Sequence, residues 1–131
     1  MSKFKINVQA DCGNAPRKLL LRDISIAFVE NDVEMLLEHA HKDITWNRVG
    51  VSITEGKAAF ETALLDLILP EARELTLHHI LTHGKEGAVS GTVMFNDGLQ
   101  HDFCDVYVFS STTSKLIQLL RSYVIEGTPK K

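Results

Sequence analysis

The sequence has little of what marks the specialised classes of protein. Of its 131 residues only two are cysteines, Cys12 and Cys104, and they form no CxxC pattern. We therefore expect free thiols in a reducing cytoplasm rather than a disulfide. No apolar run approaches the ~20 residues of a membrane span. The net charge of −3 gives no reason to expect nucleic acid or an anionic membrane as a partner.

The motifs of several enzyme classes are also missing. There is no GxGxxG, no phosphate-binding loop, no GxSxG and no HExxH. A zinc site on the predicted strands is excluded by distance, because His79 and His83 lie about 13 Å apart along one strand. We expect no metal and no cofactor. The N-terminus lacks the apolar core of a signal peptide, which predicts a cytoplasmic protein.

The composition is that of an ordinary globular domain. Hydrophobic residues make up 44% and charged residues 24%, and the length suits one domain over residues 1–131. Residues 3–8 alternate with period 2, which predicts a short edge strand within an N-terminal extension over 1–13. A floppy tail is the alternative there. A polar tail is expected over 127–131.

Three helices and five further strands are predicted along the rest of the chain. The helices are opened by Asn14 with Pro16, by Asp32 and by Thr54, which are all favoured at helix N-termini. The strands are predicted over 43–48, 75–83, 88–96, 99–109 and 116–125. Helices come mainly first and strands last, which favours an α+β fold.

Hairpin turns set which side chains share a face of the sheet. With two-residue turns at 85–86 and 97–98, Met94 lies opposite His101. One face then carries His79, Leu81, Ser90, Thr92, Met94, His101, Phe103, Asp105, Tyr107 and Phe109.

The opposite face carries a second apolar set, namely Ile80, Val89, Val93, Val106 and Val108. Three helices can cover only one face, so this set has no evident cover. Exposed apolar patches of this kind usually mark protein interfaces, and most such interfaces are symmetric. We therefore expect a homodimer through this face.

Several phrases in fixed order resemble a known family. They are FVENDVEMLL over 28–37, KDITW over 42–46, EGKAAF over 55–60, DVYVF over 105–109, KLI over 115–117 and SYV over 122–124. Together they resemble the nuclear transport factor 2-like (NTF2-like) superfamily, in its SnoaL-like branch, over residues 15–126. The resemblance implies a curved mixed or antiparallel sheet wrapped around three helices into a cone, a cystatin-like α+β barrel with an internal pocket. It also implies frequent dimers through the sheet.

Members of that superfamily include polyketide cyclases, ketosteroid isomerases, dehydratases, hydrolases and plain ligand-binding modules, so the fold does not settle function. The acid of ketosteroid isomerases matches Asp105. Their base falls near Arg48 and their oxyanion tyrosine near Ile24, so that specific activity is not implied. The resemblance also places Trp46, Arg48, Phe60, Leu120, Ser122 and Val124 on the pocket side.

The strongest candidate for chemistry is Asp105, which shares a strand face with Phe103, Tyr107 and Phe109. A charged carboxyl is costly to desolvate there, so its pKa should rise unless a cation pairs with it. A raised pKa suits a general acid or a neutral hydrogen-bond donor. The alternative is a buried aspartate satisfied by Arg48, Tyr107 or a backbone amide.

Two histidines accompany Asp105 on the predicted inward face. His79 and His101 could move protons near neutral pH, so the candidate catalytic residues are Asp105, His101 and His79. Arg48 could orient a carboxylate or carbonyl through its planar fork, or it could be a solvated arginine beyond a strand end. The candidate substrate-binding residues are Trp46, Arg48, Phe60, Thr92, Met94, Phe103, Tyr107, Leu120 and Ser122.

Two functions remain open. The first is a pocket for a small apolar or carbonyl-bearing ligand, with a cofactor-free isomerase, cyclase, dehydratase or hydrolase acting by acid–base chemistry. The second is a non-catalytic ligand-binding or protein-interaction module that dimerises through its sheet. A cavity of ~300 Å³ or more beside Asp105 favours a ligand site, whereas a cone plugged by aromatic side chains favours the interaction module.

Overall fold

A computed structural model describes residues 4–67 and 69–127. Its helices are α1 (Pro16–Glu30), α2 (Val33–Glu38) and α3 (Lys57–Asp66). Its strands are β1 (Lys5–Val8), β2 (Ala40–Arg48), β3 (Ser52–Glu55), β4 (Ala72–His83), β5 (Glu86–Phe95), β6 (Gln100–Phe109) and β7 (Ile117–Gly127). The predicted α+β class is confirmed. In this described part of the chain, no helix is long and apolar enough to cross a membrane.

The helix ends follow local chemistry, with one exception. Asp32 opens α2, and its carboxylate accepts a hydrogen bond of 3.2 Å from the backbone N–H of Met35, as predicted. Asn31 ends α1 in the left-handed conformation (φ 58°), which asparagine adopts more readily than most residues. The predicted cap at Asn14 is wrong, because Ala15 occupies that position and no side chain caps α1.

The predicted cap at Thr54 is also wrong. Thr54 lies in β3, a strand that the sequence did not predict, and it pairs with Trp46 in an antiparallel hairpin. The helix begins after Gly56 instead, whose φ of 92° makes a sharp bend between β3 and α3 that favours glycine. β3 thereby lengthens the sheet by one edge strand beyond β2.

The strands form one curved mixed sheet in the order β1-β4-β5-β6-β7-β2-β3. β1 pairs parallel with β4, β2 pairs parallel with β7, and the other neighbours are antiparallel. β1 is thus an edge strand within the segment where one was predicted. α1 packs against β4 and β5, and α3 packs against β2 and β3. We call the side that faces the helices the inner face.

The predicted register between β5 and β6 is wrong by one residue. The connecting loop has three residues, 96–98, and the backbone N–H of Phe95 donates to the carbonyl oxygen of Leu99. Gly98 takes a positive φ of 90°, which is the usual ending of a three-residue hairpin loop. His101 therefore pairs with Val93 rather than Met94. Because side chains alternate, a shift of one residue moves those of β5 to the other face relative to β6.

A β-bulge in β4 changes a second expectation. The turn before β5 is Gly84-Lys85, and its register places His79 opposite Ser90 rather than Thr92. Because this is a shift of two residues, the side chains of β4 keep the same face relative to β5. The pairing then slips between Leu77 and His79. As a result His78 and His79 both contact outer-face side chains instead of pointing to opposite faces.

The corrected register between β5 and β6 breaks up the apolar patch predicted on the outer face. Ile80, Val89 and Val93 point inward and are buried in the core, while Val106 and Val108 remain outside. The outer face keeps exposed apolar side chains, among them Leu81, Tyr123 and Ile125, beside a hydrogen-bonded polar row formed by His78, Thr92 and Asp102. The homodimer therefore stays a prediction, and the apolar side chains behind it differ from those that the sequence suggested.

Close approach explains one residue of the inner face. Gly91 lies opposite Phe103, and a Cβ atom added there would lie 2.7 Å from Cζ of that ring and 2.5 Å from the carbonyl oxygen of Thr76. Both distances are far below van der Waals contact. The absence of a side chain at Gly91 is what lets the Phe103 ring lie against the sheet.

We predict that Gly91→Ala lowers the free energy of unfolding by about 1–3 kcal/mol, since the added methyl group overpacks the sheet. Chemical denaturation monitored by circular dichroism measures this. Gly127→Ala is the matched control on β7, where an added Cβ meets nothing within 4 Å. Equal stability of the two variants would contradict the close approach described here.

Candidate functional site

The inner face of the sheet and α1 enclose a cavity of about 200 Å³. α1 supplies one wall, the segment that follows α3 supplies another, and β2, β5, β6 and β7 form the remainder. The lining residues are Ser25, Phe28, Val29, Trp46, Arg48, Val49, Val51, Leu67, Leu69, Val93, Phe95, His101, Phe103, Asp105, Ser122, Val124 and Glu126.

The cavity runs from a buried floor to an open mouth along β6 and β7. At the floor, Tyr107 pairs with Leu120 and both side chains are fully buried. Towards the mouth, Val124 is 52% exposed and the side chain of Glu126 is 75% exposed. Asp105 lies one inward-facing position above the floor, so it is the deepest ionisable group of the lining.

Burial dominates the chemistry of Asp105. Protein atoms surround its carboxyl, and the surface that it keeps accessible faces the cavity. Burial raises the pKa of Asp105 to about 7, against a smaller lowering by a hydrogen bond from the Ser122 hydroxyl. Near neutral pH this carboxyl can therefore donate a proton or accept one.

Ser122 and Trp46 hold this carboxyl in place. Ser122 is the cross-strand partner of Asp105. The indole N–H of Trp46 donates a hydrogen bond of 2.9 Å to the Ser122 hydroxyl oxygen. Since that bond uses the oxygen as an acceptor, the hydroxyl proton of Ser122 is available to Asp105. Trp46 is itself fixed by Phe60, whose ring meets it edge-on with a centroid separation of 5.3 Å.

Three polar side chains form a row across the sheet. Ser122 of β7 pairs with Asp105 of β6 on one side and with Arg48 of β2 on the other. The guanidinium of Arg48 lies 5.4 Å from the centroid of the Trp46 ring, a cation–π distance. Arg48 is not among the groups that shift the pKa of Asp105, so the two do not form an ion pair.

His101 lies at the mouth. Its Nε2 is 3.6 Å from a carboxylate oxygen of Glu126, and its ring packs edge-on against Phe95. Four residues of extended strand separate it from Asp105, or about 13 Å between backbones. His101 and Asp105 therefore cannot exchange a proton directly.

Tyr107 is part of the floor rather than the lining. Burial and the charge of Asp105 raise the pKa of its phenol well above the ordinary value, with a smaller opposing effect of Ser25. Among the described residues no partner meets ordinary hydrogen-bond geometry for this hydroxyl. Ser25 donates its own proton to the carbonyl oxygen of Leu21 at 2.9 Å. Tyr107 thus remains a neutral phenol at neutral pH.

Comparison with known proteins identifies the fold. No protein-family model matches the sequence, and no curated protein matches it significantly. Solved structures do match. An NTF2-like protein of unknown function from Cytophaga hutchinsonii is 23% identical, with a TM-score of 0.64 over 82% of this chain and 98% of that chain. The chain has the NTF2-like fold.

Two other solved structures with this similarity are described as enzymes. SalBIII, an epoxide hydrolase/cyclase-like enzyme described for pyran ring formation in the polyether salinomycin, is 20% identical over 87% of this chain and 96% of its own, with a TM-score of 0.69. An LEH-like epoxide hydrolase of M. tuberculosis is 19% identical over 81% of this chain and 80% of its own, with a TM-score of 0.65. The predicted resemblance is confirmed for the fold.

The NTF2-like cavity brings together only part of the predicted site. The predicted residues that line it are Trp46, Arg48, His101, Phe103, Asp105 and Ser122. Phe60, Tyr107 and Leu120 are buried behind the lining. His79, Thr92 and Met94 lie on the outer face, because the three-residue loop at 96–98 reversed β5 and β4 relative to β6.

Several lining residues were not predicted, either because of the same error in register or because no sequence pattern indicates them. Val93 and Phe95 replace Thr92 and Met94 once the register is corrected. Ser25, Phe28 and Val29 come from α1, where the helical pattern shows an apolar stripe but not which part of it borders a cavity. Leu67 and Leu69 follow α3, and the sequence offers no pattern that places them.

Metal ligands are not grouped anywhere in the fold as described. Over residues 4–67 and 69–127, no three His, Cys, Asp or Glu side chains lie close enough together to hold a metal ion. The chemistry argued below uses only the side chains of the cavity.

We predict that Asp105→Asn stabilises the protein at pH 8 by up to about 4 kcal/mol but not at pH 4. The folded pKa of about 7 exceeds the unfolded value of 3.8, so the folded state retains a proton that the unfolded state loses as pH rises from 4 to 7. Wild-type stability falls over that window by about 1.4 kcal/mol per pH unit, and less where water in the cavity solvates the anion. Asparagine removes this dependence.

Urea denaturation of both proteins at pH 4, 6 and 8 measures the effect. Asp102→Asn is the matched control, since Asp102 is the next acid on β6 and is exposed on the outer face. A variant and wild type with parallel pH profiles would show that Asp105 is not a buried acid.

Proposed function

We propose that this protein binds a small, mostly apolar ligand that carries a carbonyl, hydroxyl or epoxide oxygen, and that Asp105 performs acid–base chemistry on that oxygen without a cofactor. One observation supports this most: a single carboxyl lies deep in an apolar cavity, hydrogen-bonded by Ser122, with a pKa of about 7. Perturbed groups in clefts are typical of functional sites.

The size and lining of the cavity limit the ligand. Its volume of about 200 Å³ falls short of the ~300 Å³ that was set above as favouring a ligand site, so the proposal is restricted to a compact ligand. The walls are mainly Phe, Val, Leu and Trp side chains. Phe60 and Tyr107 lie behind the lining and do not fill the cavity. The plugged cone that would have favoured the second hypothesis, the protein-interaction module, is therefore not found.

The number of proton carriers favours one class of reaction. Asp105 has no second base in direct reach, since His101 is about 13 Å away along the strand. A lone carboxyl suits reactions with no net proton transfer. In these, the carboxyl gives a proton to one atom of the ligand and takes a proton back from another atom of the same ligand. In a cyclisation, for example, Asp105 protonates the epoxide oxygen as its C–O bond breaks, an internal hydroxyl oxygen bonds to that carbon, and the carboxylate accepts the hydroxyl proton. Isomerisation and cyclisation balance in this way.

The solved structures support the same class without deciding it. Proteins of this fold described as an epoxide hydrolase and as an epoxide hydrolase/cyclase-like enzyme indicate that the scaffold accommodates oxygen heterocycle chemistry. Fold alone does not carry activity, so the argument for this chain rests on Asp105 and its surroundings.

We predict that the protein converts a small 4,5-epoxy alcohol to the cyclic ether, and that Asp105→Asn lowers the rate by about 10²–10⁴-fold, the usual contribution of a general acid or base. Gas chromatography separates the ether from the diol that water attack would give. Binding is followed by the fluorescence of Trp46, the one tryptophan of the sequence, which lines the cavity. Binding should survive in Asp105→Asn because an amide still donates a hydrogen bond.

The control variant is Asp102→Asn, which should keep wild-type rates. Undiminished conversion by Asp105→Asn would remove Asp105 from the mechanism. Ligand binding by the wild type with no conversion of epoxy alcohols or of β,γ-unsaturated cyclic ketones would favour the non-catalytic ligand-binding module instead.

A further inference from the structure

We propose that the ligand of this cavity carries a carboxylate, which Arg48 binds at the mouth while Asp105 contacts an oxygen at the far end of an apolar body. This inference rests on the proposed function, because it assigns the charge of the ligand that the cavity takes. Four observations support it, all of them at the end of β2 and in the polar row across β2, β7 and β6.

The first observation is where Arg48 lies. It is the last residue of β2, half-buried, and it lines the cavity beside Val49 and Val51. A guanidinium in such surroundings has lost part of its hydration, and it then gains most from a partner that replaces the lost water.

The second observation is that no ion pair of Arg48 is found over residues 4–67 and 69–127. The ion pairs within 4.0 Å there belong to Lys5, Arg22 and His101. The guanidinium of Arg48 contacts the face of the Trp46 ring. A guanidinium has five N–H donors, and a ligand carboxylate matches two of them in parallel.

The third observation is that the acidic residues of the described lining, Glu126 and Asp105, form no ion pair with Arg48. Glu126 lies beside His101, with 3.6 Å between its carboxylate oxygen and Nε2 of the ring, on the β6–β7 side of the mouth. Asp105 shares no ion pair with Arg48 among the described residues. Among the described residues, Arg48 is thus a cation of the lining that no ion pair within 4.0 Å neutralises.

The fourth observation is the spacing of the two poles. Arg48, Ser122 and Asp105 occupy one row of three adjacent strands, so the backbones of Arg48 and Asp105 are about 10 Å apart. The space between them is bordered by aromatic and aliphatic side chains. The geometry matches a keto, hydroxy or epoxy acid whose two oxygen functions lie at opposite ends of an apolar ring or chain.

The test uses three matched probes and the fluorescence of Trp46. The probes are 3-(4-oxocyclohexyl)propanoate, its uncharged primary amide, and 3-cyclohexylpropanoate, which keeps the charge but lacks the ketone. The two ketone probes absorb only weakly where tryptophan is excited, and a parallel titration of free tryptophan corrects for absorption and collisional quenching. The wild type should bind the keto acid about tenfold or more tightly than the amide, as expected for one charge-assisted contact at a half-buried site.

Variants assign the preference to Arg48. In Arg48→Gln the keto acid and the amide should bind equally, while Arg48→Lys should recover only part of the preference, since an ammonium lacks the planar fork. Arg121→Gln is the matched control: Arg121 precedes Ser122 on β7 and is exposed on the outer face, so its loss removes the same charge and should leave the preference intact.

Each outcome bears on a distinct claim. Equal binding of acid and amide by the wild type, or a preference that persists in Arg48→Gln, would overturn the assignment of a carboxylate ligand while leaving the cavity as a ligand site. Failure of all three probes to change Trp46 fluorescence at millimolar concentration would overturn the proposed function and this inference with it. Loss of the preference in Arg121→Gln would show a general charge effect and refute the role of Arg48.

Discussion

The site depends on the strict alternation of side chains along β6. Phe103 and Tyr107 lie two residues either side of Asp105, so a strand that buries the two rings against the helices must also turn the carboxyl inward. Burial of those rings therefore also removes the carboxyl of Asp105 from water. This desolvation raises the pKa of Asp105.

Ser122 and Trp46 limit how far burial raises the pKa of Asp105. Desolvation favours the neutral acid, whereas the Ser122 hydroxyl favours the anion, and the balance leaves the pKa near neutrality. The indole N–H of Trp46 keeps the hydroxyl oriented, since its bond of 2.9 Å occupies the oxygen. Without the hydrogen bond from Ser122 the pKa of Asp105 would be higher still. The burial of Asp105 costs stability as the pH rises from 4 to 7, whereas the bond from Ser122 reduces that cost.

The sequence predicted those parts of the fold that depend on local patterning. The amphipathic stripes and the cap at Asp32 identified the helices, and alternation identified β6 together with the inward side chains of Phe103 and Asp105. The prediction failed where a single residue in a loop decides the register between two strands. An Asp-Gly pair suits both a two-residue turn and the end of a three-residue loop, and the two differ by one residue of register.

The bulge at His78 and the strand β3 show the same limit. A bulge adds a residue without changing the hydrophobic pattern enough to be recognised, so both histidines were placed from an unbroken alternation. β3 has four residues and lies at the edge of the sheet, where it gains its stability from pairing with β2. Register and edge pairing are properties of two strands together, whereas the patterns used here describe one segment at a time.

The cavity lining carries one arginine beside a deep carboxyl, Arg48 and Asp105. The resemblance to ketosteroid isomerases matches their acid with Asp105 but puts Arg48 near the position of their base. A guanidinium there cannot abstract a proton, because it carries hydrogen-bond donors and no acceptor. It can hold an anion, and the same exchange leaves Asp105 as the one deep proton carrier of the cavity. Under the proposal made above, an arginine at this position would select charged ligands in place of supplying a second base, on a backbone that keeps the NTF2-like fold.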